Sequence, residues 1–400
     1  MDGTYRYIIV GNGIAGLNAA ESIRQADADG SIVLVSDESY LTYSRLMLSH
    51  HLGEDISPES LYIHNEQWYK DKRIDVMLGT NATGPDIDAK ILRTGNGELR
   101  YDKLIIASGS YCFIPPVQGS DKEGVFALRG MDDLLKINMA IKQSSKAIVI
   151  GGGVLGLEAA WGIKQNGLDV AVLEFFPRIL PRQLDEEGSE VLKSIIEGQG
   201  VRLYLGVETS AIKGDDKASG AILKDGREIE GDFVLFSSGV RPHVEIAKGS
   251  AINVNKGIIV DECMRTNIPG IYAAGGVAEY SGAIPGIWPI ASAQGKVAGT
   301  NAAGGEQRYK PIPPSNTLKV MGTNCFSIGD IDNKDGHLKE IKYNDGMEYY
   351  KLFINSNRLA GAIMVGDISK SVRIRSIIEQ GTDMSGYLSY SDAKKLINEL

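Results

Sequence analysis

The stretch Tyr7-Ile-Ile-Val-Gly-Asn-Gly-Ile-Ala-Gly-Leu-Asn-Ala-Ala20 decides how the rest of the chain is interpreted. A short β-branched run leads into a turn with glycines at 11, 13 and 16, and an Ala- and Leu-rich helical pattern follows. The next apolar run, Ile32-Val-Leu-Val35, predicts a second buried strand, and Glu38 comes shortly after it. This order of strand, Gly-x-Gly-x-x-Gly turn, helix, strand and acidic residue is typical of a dinucleotide-binding unit.

The glycines of this turn have different physical tasks. Gly11 permits the tight turn, Gly13 allows backbone N–H groups to approach a pyrophosphate, and Gly16 allows the helix to pack close to the strand. Glu38 lies 22 residues after Gly16 (38 − 16), near the spacing of a carboxylate that accepts hydrogen bonds from ribose hydroxyls. A lone turn of this kind is a weak signal, so the nucleotide must be identified from the rest of the chain.

Length and composition describe a globular chain. The 400 residues suffice for two or three domains with buried cores, and 43% of them are hydrophobic and 23% charged. The net charge of −9 argues against general nucleic-acid affinity. No uncharged apolar run is long enough to span a membrane, and the first strand begins too early to leave room for a signal peptide. We therefore expect a cytoplasmic protein without nucleic-acid or membrane partners.

The cysteines and histidines offer little chemistry. Cys112, Cys263 and Cys325 are far apart and form neither a Cys-x-x-Cys pair nor a disulfide framework, so we expect small buried residues. His50 and His51 are adjacent, and the other three histidines lack companions, so we expect no metal site. His50 is interpreted either as a polar residue lining a cleft or as a proton-handling group.

The opening pattern then repeats. Ala147 to Ala160 forms a second strand, Gly-x-Gly-x-x-Gly turn and helix, and Glu174 stands at the end of the next strand. In both halves a further strand and a hairpin follow, and a closing strand ends in small residues, at Gly109 and at Gly239. Such internal repetition is more specific than either fingerprint alone and predicts two nucleotide sites.

The remaining segments complete the predicted domain plan. Residues 240–310 carry no third fingerprint, so we expect them to return to the first domain, while Pro311 to Pro314 reads as a linker. We predict a discontinuous first nucleotide domain of residues 1–110 and 240–312 and a second of residues 111–239. Residues 313–400 are predicted as a small α+β domain without a nucleotide signal.

Taken together, these motifs make the chain resemble the FAD/NAD(P)-dependent pyridine nucleotide oxidoreductases, in particular the NADH:rubredoxin reductases and the FAD/NAD part of NAD(P)H nitrite reductases. The resemblance implies two Rossmann-like domains in a three-layer, glutathione-reductase-like α/β fold, with a small α+β C-terminal domain. The segments that carry it are Gly11-Asn-Gly-Ile-Ala-Gly16, Tyr43-Ser-Arg-Leu-Met-Leu-Ser49, Ala107-Ser-Gly109, Gly151-Gly-Gly-Val-Leu-Gly-Leu-Glu-Ala-Ala160, Ser238-Gly-Val-Arg-Pro242, Ile271-Tyr-Ala-Ala-Gly-Gly-Val-Ala-Glu279 and Trp288-Pro-Ile-Ala-Ser-Ala-Gln-Gly295.

The resemblance assigns FAD to the first fingerprint and the nicotinamide nucleotide to the second. The residues it places at FAD are Gly11, Gly13, Ile14, Ala15, Gly16, Glu38, Arg45, Ala107, Gly109, Gly275, Gly276, Val277 and Trp288. Those it places at NAD are Gly151, Gly153, Val154, Leu155, Gly156, Glu158, Glu174 and Gly239, with Glu158 near the nicotinamide. From residue chemistry alone, Arg45 is interpreted as a phosphate ligand or a solvated charge, and Trp288 as a flavin contact or a core residue.

Two positions depart from the family pattern. Gly276 stands where the family normally has an Asp that hydrogen-bonds the flavin ribityl chain. His50 stands where many relatives have a Lys near the flavin N5, so a Lys–Glu pair is not assured. The catalytic chemistry is therefore expected to be centred on the flavin, with Glu158 and His50 as neighbouring candidates rather than as catalytic residues.

The electron acceptor is inferred from what the sequence lacks. Residues 41–51 contain no cysteine, although disulfide reductases of this architecture carry redox thiols in this region. We therefore predict a reductase that passes hydride from NADH to FAD and single electrons to an iron–sulfur carrier, a rubredoxin or ferredoxin-like partner. Glu174 favours NADH over NADPH, while Arg178 is the counter-argument. The alternatives are an NADH oxidase that reduces O2 or peroxide, and a weakly FAD-binding scaffold subunit; a homo-oligomer and a complex subunit both fit the sequence.

Overall fold

Strands and helices alternate in the order that the two fingerprints predict. A computed structural model describes residues 3–313, 315–333 and 335–400. These residues form two compact units, which are described separately below. The first contains residues 3–47, Ile56–Tyr111 and Val240–Pro311, and the second contains Leu48–Asp55, Cys112–Gly239 and the described residues of Ile312–Leu400. The predicted linker ends at Pro314, which lies outside the described residues.

The N-terminal elements begin with the first fingerprint. Short 3-10 helices occupy Arg45–His51 and Pro58–Leu61. The other elements are β1 (Gly3–Val10), α1 (Ile14–Ala26), β2 (Ile32–Val35), α2 (Glu66–Asp71), β3 (Ile74–Met77), β4 (Ala82–Asp86), β5 (Ile91–Thr94), β6 (Gly97–Ile106) and β7 (Ser110–Cys112).

The middle of the chain contains the second fingerprint. Its elements are β8 (Val125–Ala127), α3 (Met131–Lys142), β9 (Lys146–Ile150), α4 (Val154–Gln165), β10 (Asp169–Glu174), α5 (Glu186–Gly198), β11 (Arg202–Leu205), β12 (Thr209–Lys213), β13 (Gly220–Leu223), β14 (Glu228–Glu230), β15 (Phe233–Phe236) and β16 (Val240–Pro242).

The last elements belong to the return segment and the C-terminal region. Short 3-10 helices lie at Glu245–Ala247, Gly275–Val277 and Ser385–Tyr387. The other elements are β17 (Ile258–Val260), β18 (Ile271–Ala273), β19 (Ala278–Tyr280), α6 (Trp288–Ala302), β20 (Ser315–Val320), β21 (Thr323–Gly329), β22 (Lys339–Asn344), β23 (Tyr349–Asn355), β24 (Arg358–Val365), α7 (Ser371–Gln380) and α8 (Ala393–Glu399).

The first unit is organised by a sheet in which β1 is central. β1 lies parallel between β2 and β6, β3 extends the sheet beyond β2, and the hairpin strands β5 and β4 extend it beyond β6. From the return segment, β18 pairs in parallel with β6. The second half of β1 and all of β2 are buried and consist mostly of Ile and Val, as expected of parallel strands covered on both faces.

A stripe of small residues brings α6 against α1. A Cβ atom added to Gly295 would lie 2.2 Å from the carbonyl oxygen of Ala15, and one added to Gly299 would lie 2.3 Å from that of Ala19. Because these contacts are with backbone atoms, neither position has room for a side chain. The return segment is therefore packed directly on the helix of the first fingerprint.

The second unit contains a parallel sheet and an antiparallel sheet. The parallel sheet has the order β11-β10-β9-β15-β8. The strands β12, β13 and β14, which lie between β11 and β15 in the sequence, form a small antiparallel sheet. The C-terminal strands form an antiparallel sheet, β20-β21-β24-β23-β22, whose core includes residues of α7 and α8. This architecture confirms the predicted fold class, while the predicted domain boundaries stay a prediction.

The division into units differs from the predicted boundaries in two respects. The described residues of 312–400, predicted as a separate domain, group with residues 112–239 in the second unit. Residues 48–55, which the sequence places within the first nucleotide domain, group with the second unit. The side-chain contacts responsible for this grouping are described below. Within the described part of the chain, no helix is both long enough and apolar enough to cross a membrane.

Candidate dinucleotide sites

In the first unit, Gly11 and Gly16 are required by close backbone packing. Gly11 has φ +106°, and a Cβ added to it would lie 2.1 Å from the carbonyl oxygen of Ala107. A Cβ added to Gly16 would lie 2.0 Å from the carbonyl oxygen of Gly11. Any side chain at either position would displace the turn or the helix, so both glycines fulfil the packing roles that the spacing predicts.

Gly13 differs from its two neighbours because space surrounds it. No atom of the described chain would lie within 4 Å of a Cβ added there, beyond its own immediate neighbours. Gly13 is also the N-cap of α1, and no side chain of the described residues caps that end of the helix. The first N–H groups of an α-helix lack intrahelical partners, so the N-terminus at Ile14 and Ala15 presents donors and partial positive charge to an anion.

Glu38 and Arg45 are joined in one polar cluster. Arg45 Nη2 lies 2.7 Å from Glu38 Oε1, and both side chains are about three-quarters buried, being 25% and 27% exposed. The Tyr43 hydroxyl donates to Glu38 Oε2 at 2.8 Å and accepts from Arg45 Nη1 at 2.8 Å. An ionised carboxylate offers about four acceptor sites, so Glu38 retains capacity for a ribose hydroxyl. Tyr43, which stands two residues before Arg45, was not among the predicted site residues.

The small residues at the end of β6 meet those of the return segment. A Cβ added to Gly276 would lie 3.2 Å from Ser110 Oγ and 3.4 Å from the carbonyl carbon of Gly109. Gly275 has φ +79°, and a Cβ added to it would lie 2.9 Å from the Cβ atom of Ala15. The structure thus brings three of the segments predicted to hold FAD together within the first unit. Trp288 begins α6 and is half-buried, and its flavin contact stays a prediction.

The second unit repeats the geometry of the first turn. Gly151 has φ +121°, and a Cβ added to it would lie 2.3 Å from the carbonyl oxygen of Ser237. A Cβ added to Gly156 would lie 2.0 Å from the carbonyl oxygen of Gly151. Around Gly153, the N-cap of α4, no atom of the residues described would lie within 4 Å of an added Cβ. The N-terminus of α4 is therefore a second place where backbone donors can face a pyrophosphate.

The NAD residues that flank this turn have different environments. Leu155, in the first turn of α4, is 51% exposed, whereas its neighbour Val154 is half-buried. Gly239 has φ +91°, and no atom of the described chain would come within 4 Å of a Cβ there. Leu155 and Gly239 are thus accessible to a ligand.

Glu174, at the end of β10, is buried and bonded to backbone groups. Its side chain accepts from Gly152 N at 2.5 Å through Oε2 and from Phe176 N at 2.8 Å through Oε1. The carboxylate therefore supports the turn itself, and its bond to a ribose stays a prediction. Phe175 and Phe176, missed by the sequence analysis, follow directly and are 63% and 46% exposed. The sequence signal at these positions is a pair of aromatic residues directly after a strand-end acid.

A second carboxylate lies on α4, one turn beyond the glycines. Ser49 Oγ donates to Glu158 Oε2 at 2.9 Å. Burial raises the pKa of Glu158, while the hydrogen bond from Ser49 and the electrostatic interaction with His50 act in the lowering direction. The structure thus brings Glu158 and His50, both candidates from the sequence, into one electrostatic cluster. Ser49 was missed, although it directly precedes His50.

The three thiols lie outside these turns in the sequence and are shielded to different degrees. Cys263 and Cys325 are buried, and burial raises the pKa of Cys325 to about 12. Cys112 is half-buried, its Sγ donates to the carbonyl oxygen of Leu128 at 3.4 Å, and burial raises its pKa. A thiol with a raised pKa holds little thiolate, the reactive form.

Comparison with known proteins now identifies the family. Residues 5–295 match the model of the pyridine nucleotide-disulphide oxidoreductases. The chain belongs to this family. Residues 314–382 match a second model, the rubredoxin NAD+ reductase C-terminal domain. The resemblance inferred from the motifs is therefore confirmed for this pyridine nucleotide-disulphide oxidoreductase.

Three similar proteins illustrate the range of the family. The chain is 37% identical to a nitrite reductase (NAD(P)H) of Bacillus subtilis over 388 residues, which are 96% of this chain and 48% of that protein. It is 37% identical to an NADH oxidase of Methanocaldococcus jannaschii in an alignment 402 positions long, which covers 92% of this chain and 89% of that protein. The solved NADH:rubredoxin oxidoreductase of Clostridium acetobutylicum is 31% identical, with a TM-score of 0.83 and coverage of 99% and 100%.

These comparisons bear on the cofactors as well as on the fold. The chain spans about half the length of the curated nitrite reductase that it matches. FAD and NADH, predicted from the two fingerprints, agree with membership of this family and with relatives named for NADH. The assignment of individual residues to each cofactor stays a prediction.

Proposed function

We propose that this chain is a flavoprotein reductase that passes hydride from NADH to FAD and then single electrons to an iron–sulfur electron carrier. The observation that carries the proposal is the repeated open space at Gly13 and Gly153, each at the uncapped N-terminus of a helix. Each would hold a pyrophosphate through backbone N–H groups. When bound, FAD supplies the chemistry, because a flavin accepts a hydride and releases single electrons.

The residues of the first unit fit FAD. Glu38, held by Arg45 and Tyr43, would accept from the adenosine ribose, and the glycines at 109, 275 and 276 would leave room for the cofactor. In the second unit, the Gly153 turn would hold the nicotinamide nucleotide, and Glu158 would lie near its ring as the family resemblance implies. Ionised Glu158 would favour the positive charge that the nicotinamide ring gains when hydride leaves.

NADH is proposed in preference to NADPH. Arg178, the residue that argued for NADPH, donates from Nη2 to the carbonyl oxygen of Pro181 at 2.9 Å and is half-buried. The residues directly after the strand-end acid are Phe175 and Phe176, which offer no charge to a 2′-phosphate. Glu174 itself would repel a phosphate, since like charges at close range are unfavourable.

An iron–sulfur carrier, a rubredoxin or a ferredoxin-like protein or subunit, is the proposed acceptor. It is supported by the C-terminal match to a domain named for rubredoxin NAD+ reductase and by similarity to an NADH:rubredoxin oxidoreductase. The missing cysteine in residues 41–51 supports it further, because a thiol relay would need one there. Cytoplasmic localisation stays a prediction.

Stopped-flow spectroscopy of the FAD-loaded protein tests this proposal. Anaerobic NADH should bleach the visible absorbance of the flavin, and added oxidised rubredoxin should restore it faster than air does. The matched control is Gly153→Ala, which should bind FAD normally and bleach slowly. If neither rubredoxin nor a ferredoxin accelerates reoxidation over air, the acceptor assignment is wrong.

A second candidate, an NADH oxidase, is favoured by one observation. The chain is 37% identical to an NADH oxidase over most of both proteins. Rapid consumption of NADH with O2 as sole acceptor would select this function. The scaffold alternative, suggested by Gly276, would instead give a colourless protein that added FAD does not colour.

A further inference from the structure

Residues 48–55 are attached to the second unit by side chains that bond to their backbone. This segment lies in the chain between residues of the first unit, at Met47 and Ile56. Its contacts are nevertheless with α3 and α4, the latter being the helix that begins at the second glycine turn. The attachment is polar and specific, and it is not explained by burial of apolar residues alone.

Asn138 of α3 makes the central contact. Its Nδ2 donates to the carbonyl oxygens of His51 at 3.1 Å and Glu54 at 2.9 Å, and its Oδ1 accepts from Gly53 N at 2.7 Å. The residue is only 5% exposed. The three bonds use both N–H donors of the amide and one of its acceptor sites, so this buried side chain fixes three backbone groups at once.

Asn166, the C-cap residue that follows α4, makes the second contact. Its Nδ2 donates to the carbonyl oxygen of Leu52 at 2.9 Å and to that of Gly162 at 2.8 Å. A Cβ added to Gly162 would lie 3.0 Å from the carbonyl oxygen of Ser49 and 3.1 Å from the Cβ atom of Leu52. The segment and α4 therefore lie in close contact, at a register set by hydrogen bonds to main-chain atoms.

Gly53 completes the fit. It has φ +83°, and a Cβ added there would lie 2.2 Å from the side chain of Asn166. A residue with a side chain would meet both backbone strain and a collision at this position. The turn at Gly53 and the two asparagines thus act together to hold one conformation of the segment.

This conformation of the segment places the hydroxyl of Ser49 beside Glu158. Ser49 Oγ lies 2.9 Å from Glu158 Oε2 on α4, and the adjacent His50 acts on the same carboxylate electrostatically. Both residues belong to the segment whose backbone the asparagines hold. Neither asparagine contacts Glu158 in the interactions described above, so each acts on it through the segment.

We propose that Asn138 and Asn166 are positioning residues, which hold residues 51–54 and thereby place Ser49 at Glu158. The inference rests on the proposed function, because it takes Glu158 to be the carboxylate beside the nicotinamide. Their loss should leave the Gly153 turn intact and so change the NADH dissociation constant little. It should slow flavin reduction at saturating NADH by about ten- to a hundredfold, since small misplacements of a reacting geometry have effects of that order.

The experiment uses the FAD-loaded full chain and three variants. Asn138→Ala and Asn166→Ala remove the two contacts, and Asn166 is exposed, so its variant should fold even if the buried Asn138 variant does not. Gln143→Ala is the matched control, because it removes an exposed amide at the end of the same helix, α3. Stopped-flow reduction by NADH gives the limiting rate and the dissociation constant separately. The two asparagine variants should lose rate, and Gln143→Ala should not.

A double-mutant cycle tests the route of the effect. In a Ser49→Ala background, Asn166→Ala should slow reduction by a smaller factor than it does alone, because the group being positioned is already gone. If the rate reductions of Ser49→Ala and Asn166→Ala simply multiply in the double variant, the proposal is wrong. It is also wrong if the asparagine variants lose NADH affinity while their limiting rate is unchanged.

Amide hydrogen exchange supplies a readout that needs no activity. Exchange at Gly53 should accelerate in Asn138→Ala and stay unchanged in Gln143→Ala. Unchanged exchange would overturn the proposed hold on the segment. If NADH fails to reduce the flavin of the wild-type protein while Gly53 stays protected, the proposed function is wrong. The asparagines then hold the segment but have no role in that reaction.

Discussion

Arg45 Nη2 lies 2.7 Å from Glu38 Oε1, and the Tyr43 hydroxyl bonds to both side chains. The carboxylate predicted to bind the FAD ribose therefore forms an ion pair with Arg45. This arrangement fixes the orientation of Glu38 before a cofactor arrives, so less side-chain entropy is lost on binding. It also joins two residues that the sequence analysis interpreted separately.

Arg45→Ala should weaken FAD binding. Loss of the charged partner frees Glu38 to rotate, and we expect a loss of about 1–2 kcal/mol, or roughly five- to thirtyfold in the dissociation constant. Fluorescence titration of the FAD-free protein with FAD measures it. Arg93→Ala is the matched control, because Arg93 forms an exposed ion pair with Asp86 at 2.7 Å in the same unit. Equal effects of the two substitutions would show that the Glu38 pair has no special role.

Gly153→Ala and Gly156→Ala should separate ligand binding from folding. Gly153 has ordinary extended backbone and open space around it, so alanine should cost less than about 1 kcal/mol, as a poorer N-cap residue, while weakening NADH binding at least about tenfold. Alanine at Gly156 would meet the carbonyl oxygen of Gly151 at 2.0 Å and should destabilise the protein by about 1–3 kcal/mol. Unchanged NADH affinity in the Gly153 variant would remove the second turn from the proposed cofactor site.

Local sequence rules predicted both turns, because the Gly-x-Gly-x-x-Gly spacing between a strand and a helix is itself a local pattern. The contacts of Gly11 with Ala107 and of Gly151 with Ser237 come from distant parts of the chain and were not predicted. The orientation of Glu174 was not predictable in the same way. Its carboxylate turns to Gly152 N and Phe176 N because it is buried, and a buried carboxylate must find donors. The periodicity and spacing of the sequence do not indicate which donors this carboxylate binds.

The contacts of residues 48–55 with the second unit were even less predictable from the sequence. The bond between Gly53 and Asn138 joins residues 85 positions apart in the chain. An asparagine within a helical pattern carries no visible sign of such a partner, since helix interiors and surfaces both accommodate it. Only the packing of α3 and α4 against the segment reveals why Asn138 is there.

Ser49→Ala should shift the pH dependence of flavin reduction. Burial raises the pKa of Glu158, and the Ser49 hydrogen bond opposes that rise because it stabilises the ionised form. Flavin reduction should slow as the pH falls through this pKa, since protonation removes the charge that favours the oxidised nicotinamide. Removing the hydroxyl raises the pKa further, so the acidic limb should move to higher pH. Stopped-flow rates at saturating NADH across pH measure the shift.

The control for this shift is Glu158→Gln. An uncharged amide at position 158 has no proton to lose, so the acidic limb should disappear and the limiting rate should fall at all pH values. A limb that survives in Glu158→Gln belongs to another group, and a limb that is unmoved in Ser49→Ala means that the hydroxyl does not tune the carboxylate.

Gly276→Asp should tighten FAD binding. An added Cβ would lie 3.2 Å from Ser110 Oγ, which is a side-chain atom and not backbone, and 3.4 Å from the carbonyl carbon of Gly109, which is ordinary contact. Family resemblance places an Asp there that bonds the ribityl chain, and a charged hydrogen bond adds about 1.5–3 kcal/mol, or roughly a tenfold or larger gain in affinity. FAD titration of the two proteins measures the gain.

Gly275→Asp is the matched control for this substitution. Gly275 has φ +79°, and its added Cβ would lie 2.9 Å from that of Ala15, so the variant should lose stability and gain no affinity. If Gly276→Asp folds normally and binds FAD no more tightly than the parent, the ribityl chain does not pass residue 276. FAD would then be held in this unit by groups such as the α1 N-terminus and the Glu38 cluster, without a carboxylate at residue 276.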